Sequence, residues 1–331
     1  MRKTALVLAC DDRFIPFTSV VARRIARYAS EPFPITVLSD NVSDENKALA
    51  RQFCPQIYFV EASSLFDERP FPTGYSFSRA NYLRLFLDEI LADFDHAVYM
   101  DSDISPLTDV SPLMAMKPTV APVIATYDLA LTVEMEYRNR LPMSDGAPYF
   151  NSGVMVYDLK AIRAEQTFST ARQFAIDNPI LCKFVDQDAL NAVLDGRWQT
   201  LDWRWNAMNY MGDMIPKAPF VRHFGGNKPW AAKKLGVEPR FITEWRSDLH
   251  ESPWPERFEE QTLMNRVRVA INPYTLAVEN FAKAAVYSGS PGRRGNKVRL
   301  AKHFSKALRA IEEAAQAGRL ADRFPERVLL L

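Results

Sequence analysis

The sequence has little cysteine, little histidine and almost no net charge. Its three Cys, at 10, 54 and 182, lie too far apart for a zinc-binding spacing, and their scarcity suggests a reducing compartment. A net charge of +1 gives no whole-molecule field for nucleic acid. Long apolar runs are missing at the start: Ala5–Cys10 is too short for a signal peptide or a membrane span, so a cytoplasmic protein is expected. No internal repeat is visible. What is present is ordinary for a globular chain, with 47% apolar and 24% charged residues. The 331 residues suffice for one large domain or two smaller ones.

Short apolar runs alternate with helical patterns. Ala5–Cys10 reads as a strand buried on both faces, ended by Asp11-Asp12-Arg13. A helix is predicted over about 16–28, with Pro16 in its first turn. Pro34–Ser39 and Gln56–Val60 read as the second and third strands. Between them Ser43 is predicted to cap a helix whose first turn carries Asp44 and Glu45, where the helix dipole favours acids. After a Pro- and aromatic-rich loop (61–77), Ser78–Ile90 reads as a helix with Leu83, Phe86, Leu87 and Ile90 on one stripe. A fourth strand runs into Asp101. This alternation predicts an α/β fold with a parallel, doubly wound sheet, in which ligands sit at the carboxyl ends of strands. Further on, Val120–Thr126 reads as a strand, Tyr149–Gly153 as a polar turn leading into another, and Asp186–Leu194 as a helix.

The stretch Val98-Tyr99-Met100-Asp101-Ser102-Asp103 places two carboxylates one residue apart where a strand ends. Alternate residues of an extended chain share a face, so Asp101 and Asp103 can converge. Asp-Ser-Asp is often only a turn closed by its own side chains. Two converging carboxylates also suit a hard divalent cation, which could hold a diphosphate and assist its departure. A third reading is a haloacid-dehalogenase-like phosphatase with Asp101 as nucleophile. That family carries its motif on the first strand of its core, whereas about a hundred residues precede Asp101.

Four blocks, taken in order, resemble glycosyltransferase family 8, retaining enzymes of GT-A fold that include bacterial lipooligosaccharide galactosyltransferases and glycogenins. They are Ala9-Cys10-Asp11-Asp12; Val98–Asp103; Tyr149–Gly153 together with Asp186–Asn191; and His223-Phe224-Gly225-Gly226-Asn227-Lys228-Pro229-Trp230. The resemblance implies a GT-A domain, taken as about 1–245, Rossmann-like with a mostly parallel sheet; 246–331 resembles no known family and is expected to form a mainly helical extension. The resemblance also implies hexosyl transfer, of galactose or glucose, from a UDP-sugar to a saccharide or glycolipid acceptor. Transfer would proceed with retention and with the help of Mn²⁺ or Mg²⁺. Asp101, Asp103 and His223 match the metal ligands, and an imidazole among carboxylates tilts the choice toward Mn²⁺. Lys228 matches a diphosphate contact. Gly225 and Gly226 would let backbone approach the phosphates. Ala9, Asp11 and Arg13 match the nucleoside end, although relatives commonly carry Asn where this chain has Arg13. Ser102 joins the donor-binding set. Arg84, Asp128, Asn151, Gly153, Asp186 and Gln187 match positions around the donor sugar, and Gln187, Asp186 and Asp128 are the catalytic candidates. A nucleotide-sugar binder without transfer activity is the remaining alternative.

Each candidate also has a plain structural reading. A His beside Phe224 can simply pack, but the Gly-Gly turn and Lys228 that follow favour a ligand. His96, His250 and His303 lack such company and are expected at the surface. Asp186 and Asp188 fit the acidic first turn of a helix, Asn151 fits a turn, and Arg84 fits a helix surface. Gln187 cannot serve as a base or a strong nucleophile. Trp198, Trp203 and Trp205 are expected in the core or in a wall. Finally, 293–309 carries seven Lys or Arg and no acid. It reads as a solvated helical face or as a patch for an anionic membrane, worth roughly 1 kcal/mol per basic residue. The second reading would set the protein peripherally at the inner membrane face.

Overall fold

The computed structural model describes residues 4–67, 71–72, 77–128, 131, 139–208, 218–232 and 237–260. The chain divides into two compact units. The first holds Met1–Gly225 and Glu251–Pro255, the second Gly226–His250 and the residues from Glu256 onward. The basic stretch 293–309 lies outside the described residues.

In the first unit, β1 (Thr4–Asp11), β2 (Ile35–Asp40), β3 (Ile57–Glu61) and β4 (His96–Met100) all run parallel. The expected alternation is therefore present. Leu6, Val7 and Leu8 of β1 and all of β4 are buried, as continuous apolar strands require. α1 (Ile15–Tyr28) carries Pro16 in its first turn, and α2 (Asp44–Phe53) is capped by Ser43, whose hydroxyl accepts from the Asn46 N–H at 3.3 Å. Beyond β4 the sheet changes character. β7 (Phe150–Asp158) lies antiparallel between β4 and β6 (Val123–Tyr127), and β8 (Gln199–Thr200) extends the edge, giving the order β3-β2-β1-β4-β7-β6-β8 among the described residues. A small second sheet joins β5 (Ile104–Pro106), β10 (Val221–His223) and β9 (Ala207–Met208).

Three expectations are corrected. Ser78–Ile90 is not one α-helix: Arg79–Phe86 is a 3₁₀ helix followed by the single α-turn Leu87–Ile90. The Asn81 and Leu85 carbonyls accept from the guanidinium groups of Arg84 and Arg172, which compete with an α-helical ladder. Tyr149–Gly153 is no turn, because Phe150 onward already belongs to β7 and Asn151 and Ser152 are buried in it. Polar side chains are tolerated there because each finds a buried partner. His96 is buried at the start of β4, while His250 is exposed as expected and His303 lies outside the described residues. Trp198 and Trp205 do belong to the core, packed on Phe150 and Phe220. The three cysteines are free and buried, and no helix among the described residues is long and apolar enough to cross a membrane.

In the second unit, helix α3 (Pro239–His250) presents Trp245, whose ring centroid lies 4.3 Å from that of Trp230. The Trp230 carbonyl accepts from the Glu259 N–H at 2.8 Å.

Candidate active site

Two strand ends and one short cross-pairing bring the acidic motif to His223. β4 stops at Met100, and the Asp101 N–H donates to the Gly153 carbonyl at 2.8 Å. The chain then enters β5, which pairs antiparallel with β10 so that Ile104 faces His223. The Phe224 N–H closes the register on the Asp103 carbonyl at 2.9 Å. As a result His223 Nε2 lies 3.2 Å from Asp103 Oδ1 and 3.8 Å from Asp101 Oδ2. One ligand atom from each of the three residues falls within 4.8 Å of the others. The pairing rule for alternate residues holds, since Ser102 between them is turned inward. Its hydroxyl receives the Thr18 hydroxyl at 2.8 Å and donates to the Ala9 carbonyl at 3.1 Å.

Arg84 lies beneath the cluster and is almost fully buried. Its guanidinium stacks 4.1 Å from the Tyr99 ring, bonds Asp101 Oδ1 at 2.7 Å and also holds the Ser152 carbonyl. Nε lies 3.0 Å from Asp186 Oδ2, though its N–H points to the Asn81 carbonyl. One cation thus serves two carboxylates, and Asp103 adds a third negative charge nearby. Burial raises the Asp101 carboxyl, with Arg84 opposing and Asp103 reinforcing the rise. Burial likewise lifts Asp186 to about 7 against the pull of Arg84. Two oxygen ligands, one imidazole nitrogen and surplus negative charge fit a divalent cation such as Mn²⁺.

Behind His223 runs a buried amide network. Asp128 Oδ1 accepts from the Leu131 N–H, and Oδ2 accepts from Asn151 Nδ2 at 3.2 Å and Gln187 Nε2 at 3.3 Å. Gln187 Oε1 accepts from the Ser152 N–H and from Asn151 Nδ2, both at 3.0 Å. Gln187 Nε2 also donates to the Tyr149 hydroxyl, which donates to Asp188 at 2.6 Å. Asp186 and Asp188 do lie in the acidic first turn of helix Val185–Leu194, and both are buried there. The chain enters that helix at Val185, whose φ of +44° is rare for a β-branched residue and costs about 1–3 kcal/mol.

Gly153 lies under the imidazole. A Cβ built there would overlap His223 Cε1 and stand 2.6 Å from Nδ1. At the other end Asp11 Oδ1 receives the N–H groups of Arg13 and Phe14, both at 3.1 Å, while the Arg13 side chain is exposed and only 3.4 Å from Asp11 Oδ2. Gly225 ends the first unit, and Gly226 and Lys228 open the second. The predicted residues of the first unit thus fall into a metal-competent trio with Arg84, a buried polar group (Asp128, Asn151, Asp186, Gln187) and a strand-end turn (Ala9, Asp11, Arg13). Sequence reasoning missed Asn206, which is buried and bonds His223 Nδ1 at 2.8 Å. The available signal was an amide within the aromatic-rich Trp203-Arg204-Trp205-Asn206, where a buried polar group calls for a partner.

The family model described as glycosyl transferase family 8 matches residues 5–234. General stress protein A of Bacillus subtilis is 27% identical over 221 residues, covering 59% of this chain and 75% of that protein. The lipopolysaccharide 1,2-glucosyltransferase of Escherichia coli K12 is 26% identical over 204 residues, covering 56% of this chain and 58% of that one. Among solved structures, galactosyltransferase LgtC in complex with donor and acceptor sugar analogues superposes with a TM-score of 0.66 at 24% identity. It covers 76% of this chain and 96% of its own. That likeness establishes the GT-A architecture.

Proposed function

The chain belongs to glycosyl transferase family 8, and from that premise we propose that it transfers galactose or glucose from a UDP-sugar to a saccharide or glycolipid acceptor with retention at the anomeric carbon. The observation that carries the reading is the convergence of Asp101, Asp103 and His223 at a strand end, beside Arg84 and the Asp128–Asn151–Gln187 group. The first three residues would hold Mn²⁺, or Mg²⁺ in its place. Such an ion supplies Lewis-acid stabilisation of a departing diphosphate. Arg84 fixes Asp101 and balances part of its charge. Lys228, five residues beyond His223, would neutralise charge developing on the leaving group. Ala9, Asp11, Arg13 and Ser102 would line the nucleoside end, with Gly225 and Gly226 admitting the phosphates. Asp186, Gln187 and Asp128 would hold the donor sugar and stabilise its cationic transition state. None of them is an obvious covalent nucleophile, and Gln187 is already braced on both amide atoms. The acceptor hydroxyl would attack on the face the leaving group vacates, with a diphosphate oxygen as base. Family membership leaves the phosphatase alternative without support. A cytoplasmic location belongs to the same reading.

The test is calorimetry of UDP with Mn²⁺, Mg²⁺ and EDTA, followed by UDP-sugar turnover on the same sample. Binding is expected to need metal, and the sugar hydrolysed fastest names the donor. Asp101→Ala should stay folded and lose metal-dependent transfer by at least about 100-fold. Full activity in that variant would refute the assignment. Donor binding without turnover across a broad acceptor panel would favour a non-transferring binder.

A further inference from the structure

We propose that Asn206 is a positioning residue that keeps the His223 ring proton on Nδ1 and so leaves the Nε2 lone pair free for the metal. The inference rests on the metal-site reading above. It starts from groups whose hydrogen-bonding roles admit no choice. The Gly153 N–H can only donate, so the Asn151 atom 2.9 Å from it must be Oδ1. Asn151 Nδ2 then faces Asp128 Oδ2 and Gln187 Oε1, both acceptors. Gln187 Oε1 is fixed independently by the Ser152 N–H. With Asn151 oriented, the Asn206 atom 2.8 Å from Asn151 Oδ1 must be Nδ2, which also reaches the Thr126 hydroxyl at 3.0 Å. Asn206 therefore turns Oδ1 toward His223 Nδ1 at 2.8 Å. An oxygen there can only accept, so Nδ1 carries the hydrogen.

The opposite ring nitrogen faces Asp103 and Asp101. A lone pair aimed at two carboxylates is repulsive unless a cation stands between them. The relay thus prepares the ring for a cation. A ring partner of this kind fixes tautomer and orientation at metal-bound histidines in general. Every residue in the relay is buried, so water does not substitute readily for a lost partner. Asn206 touches none of the reacting atoms; it acts through His223.

The test compares native protein with Asn206→Leu, which removes the acceptor, and Asn206→Asp, which keeps an oxygen toward Nδ1. Mn²⁺ affinity is read by electron paramagnetic resonance. The ring nitrogens are read by ¹⁵N–¹H correlation on protein labelled in its histidines and loaded with Zn²⁺, a diamagnetic substitute. His223 is assigned from its loss in His223→Gln. We expect Nδ1–H in the native ring, an affinity about 10- to 100-fold weaker in Asn206→Leu, and partial recovery in Asn206→Asp. Native affinity in Asn206→Leu, or no recovery in Asn206→Asp, would overturn the proposal. Should Asn206→Leu fail to fold, the native spectrum decides, because a ring without hydrogen on Nδ1 contradicts the relay. If the native chain binds neither metal, the metal reading fails instead. The metal-free native ring, followed as pH is raised until one ring nitrogen loses its hydrogen, still reports which nitrogen keeps it.

Discussion

Adding one methyl group at Gly153 tests how tightly the candidate metal ligand is seated. Gly153 is not among the residues at positive φ, so alanine meets no backbone penalty there. The penalty is steric: the new Cβ would overlap His223 Cε1, stand 2.6 Å from Nδ1 and 3.0 Å from Asn151 Oδ1. The imidazole cannot retreat without breaking its bond to Asn206, and β7 cannot shift without losing the Asp101–Gly153 bond. Overpacking of this kind costs about 1–3 kcal/mol, offset by about 0.4–1 kcal/mol from the reduced freedom of the unfolded chain. Urea unfolding of Gly153→Ala should therefore show a net loss of about 1–2 kcal/mol, with Mn²⁺ affinity falling alongside because the ring is displaced. The decisive comparison is Gly153→Ala in a His223→Ala background. There the methyl enters space the imidazole has left, and the cost should vanish or become a small gain, a coupling of about 1–3 kcal/mol. An equal cost in both backgrounds would show that the ring is not what the methyl meets, and the seating argument would fall.

Two further outcomes follow from the same geometry. Asp186 binds its proton more tightly folded than unfolded, rising from an ordinary 3.8 to about 7. Its contribution to stability is therefore full below about pH 4 and is lost as pH rises to about 7. That loss is about 4 kcal/mol, at about 1.4 kcal/mol for each tenfold in proton affinity. Denaturant unfolding of metal-free Asp186→Asn between about pH 4.5 and 8 should lack this decline, and parallel profiles for variant and native protein would contradict it. Ser43→Ala removes the cap of α2 and should cost about 1 kcal/mol of stability while leaving metal affinity unchanged; an altered affinity would mean that the helix start communicates with the site.

The parallel half of the sheet was readable because β1 to β4 are short, largely apolar runs that end on or beside acids. Asp101 and Asp103 were readable for the same reason. β7 was readable only from Val154 onward, because Asn151, Ser152 and Gly153 read as a turn until their partners on the helix Val185–Leu194 are known. A sequence shows that a residue is polar and not whether a distant side chain will satisfy it. His96 misled in the same way: it was expected at the surface and is buried by its surroundings. Asn206 left the faintest trace, since its importance lies in which way one amide points, a property fixed two hydrogen bonds away at the Gly153 N–H.

The β5–β10 pairing joins residues as far as 119 positions apart, His223 and Ile104, and this sets an order of events during synthesis. The four parallel strands β1 to β4 are all made by Met100, and both acidic residues follow directly. His223 emerges only later, so a ribosome-bound chain ending before β10 would carry most of the fold and two-thirds of the metal cluster. Contacts of such long separation close late, because loop entropy must be met before they contribute. On the metal reading proposed above, metal capture would mark a chain extended past β10: a product truncated before it could be compact and rich in secondary structure and still lack the third ligand.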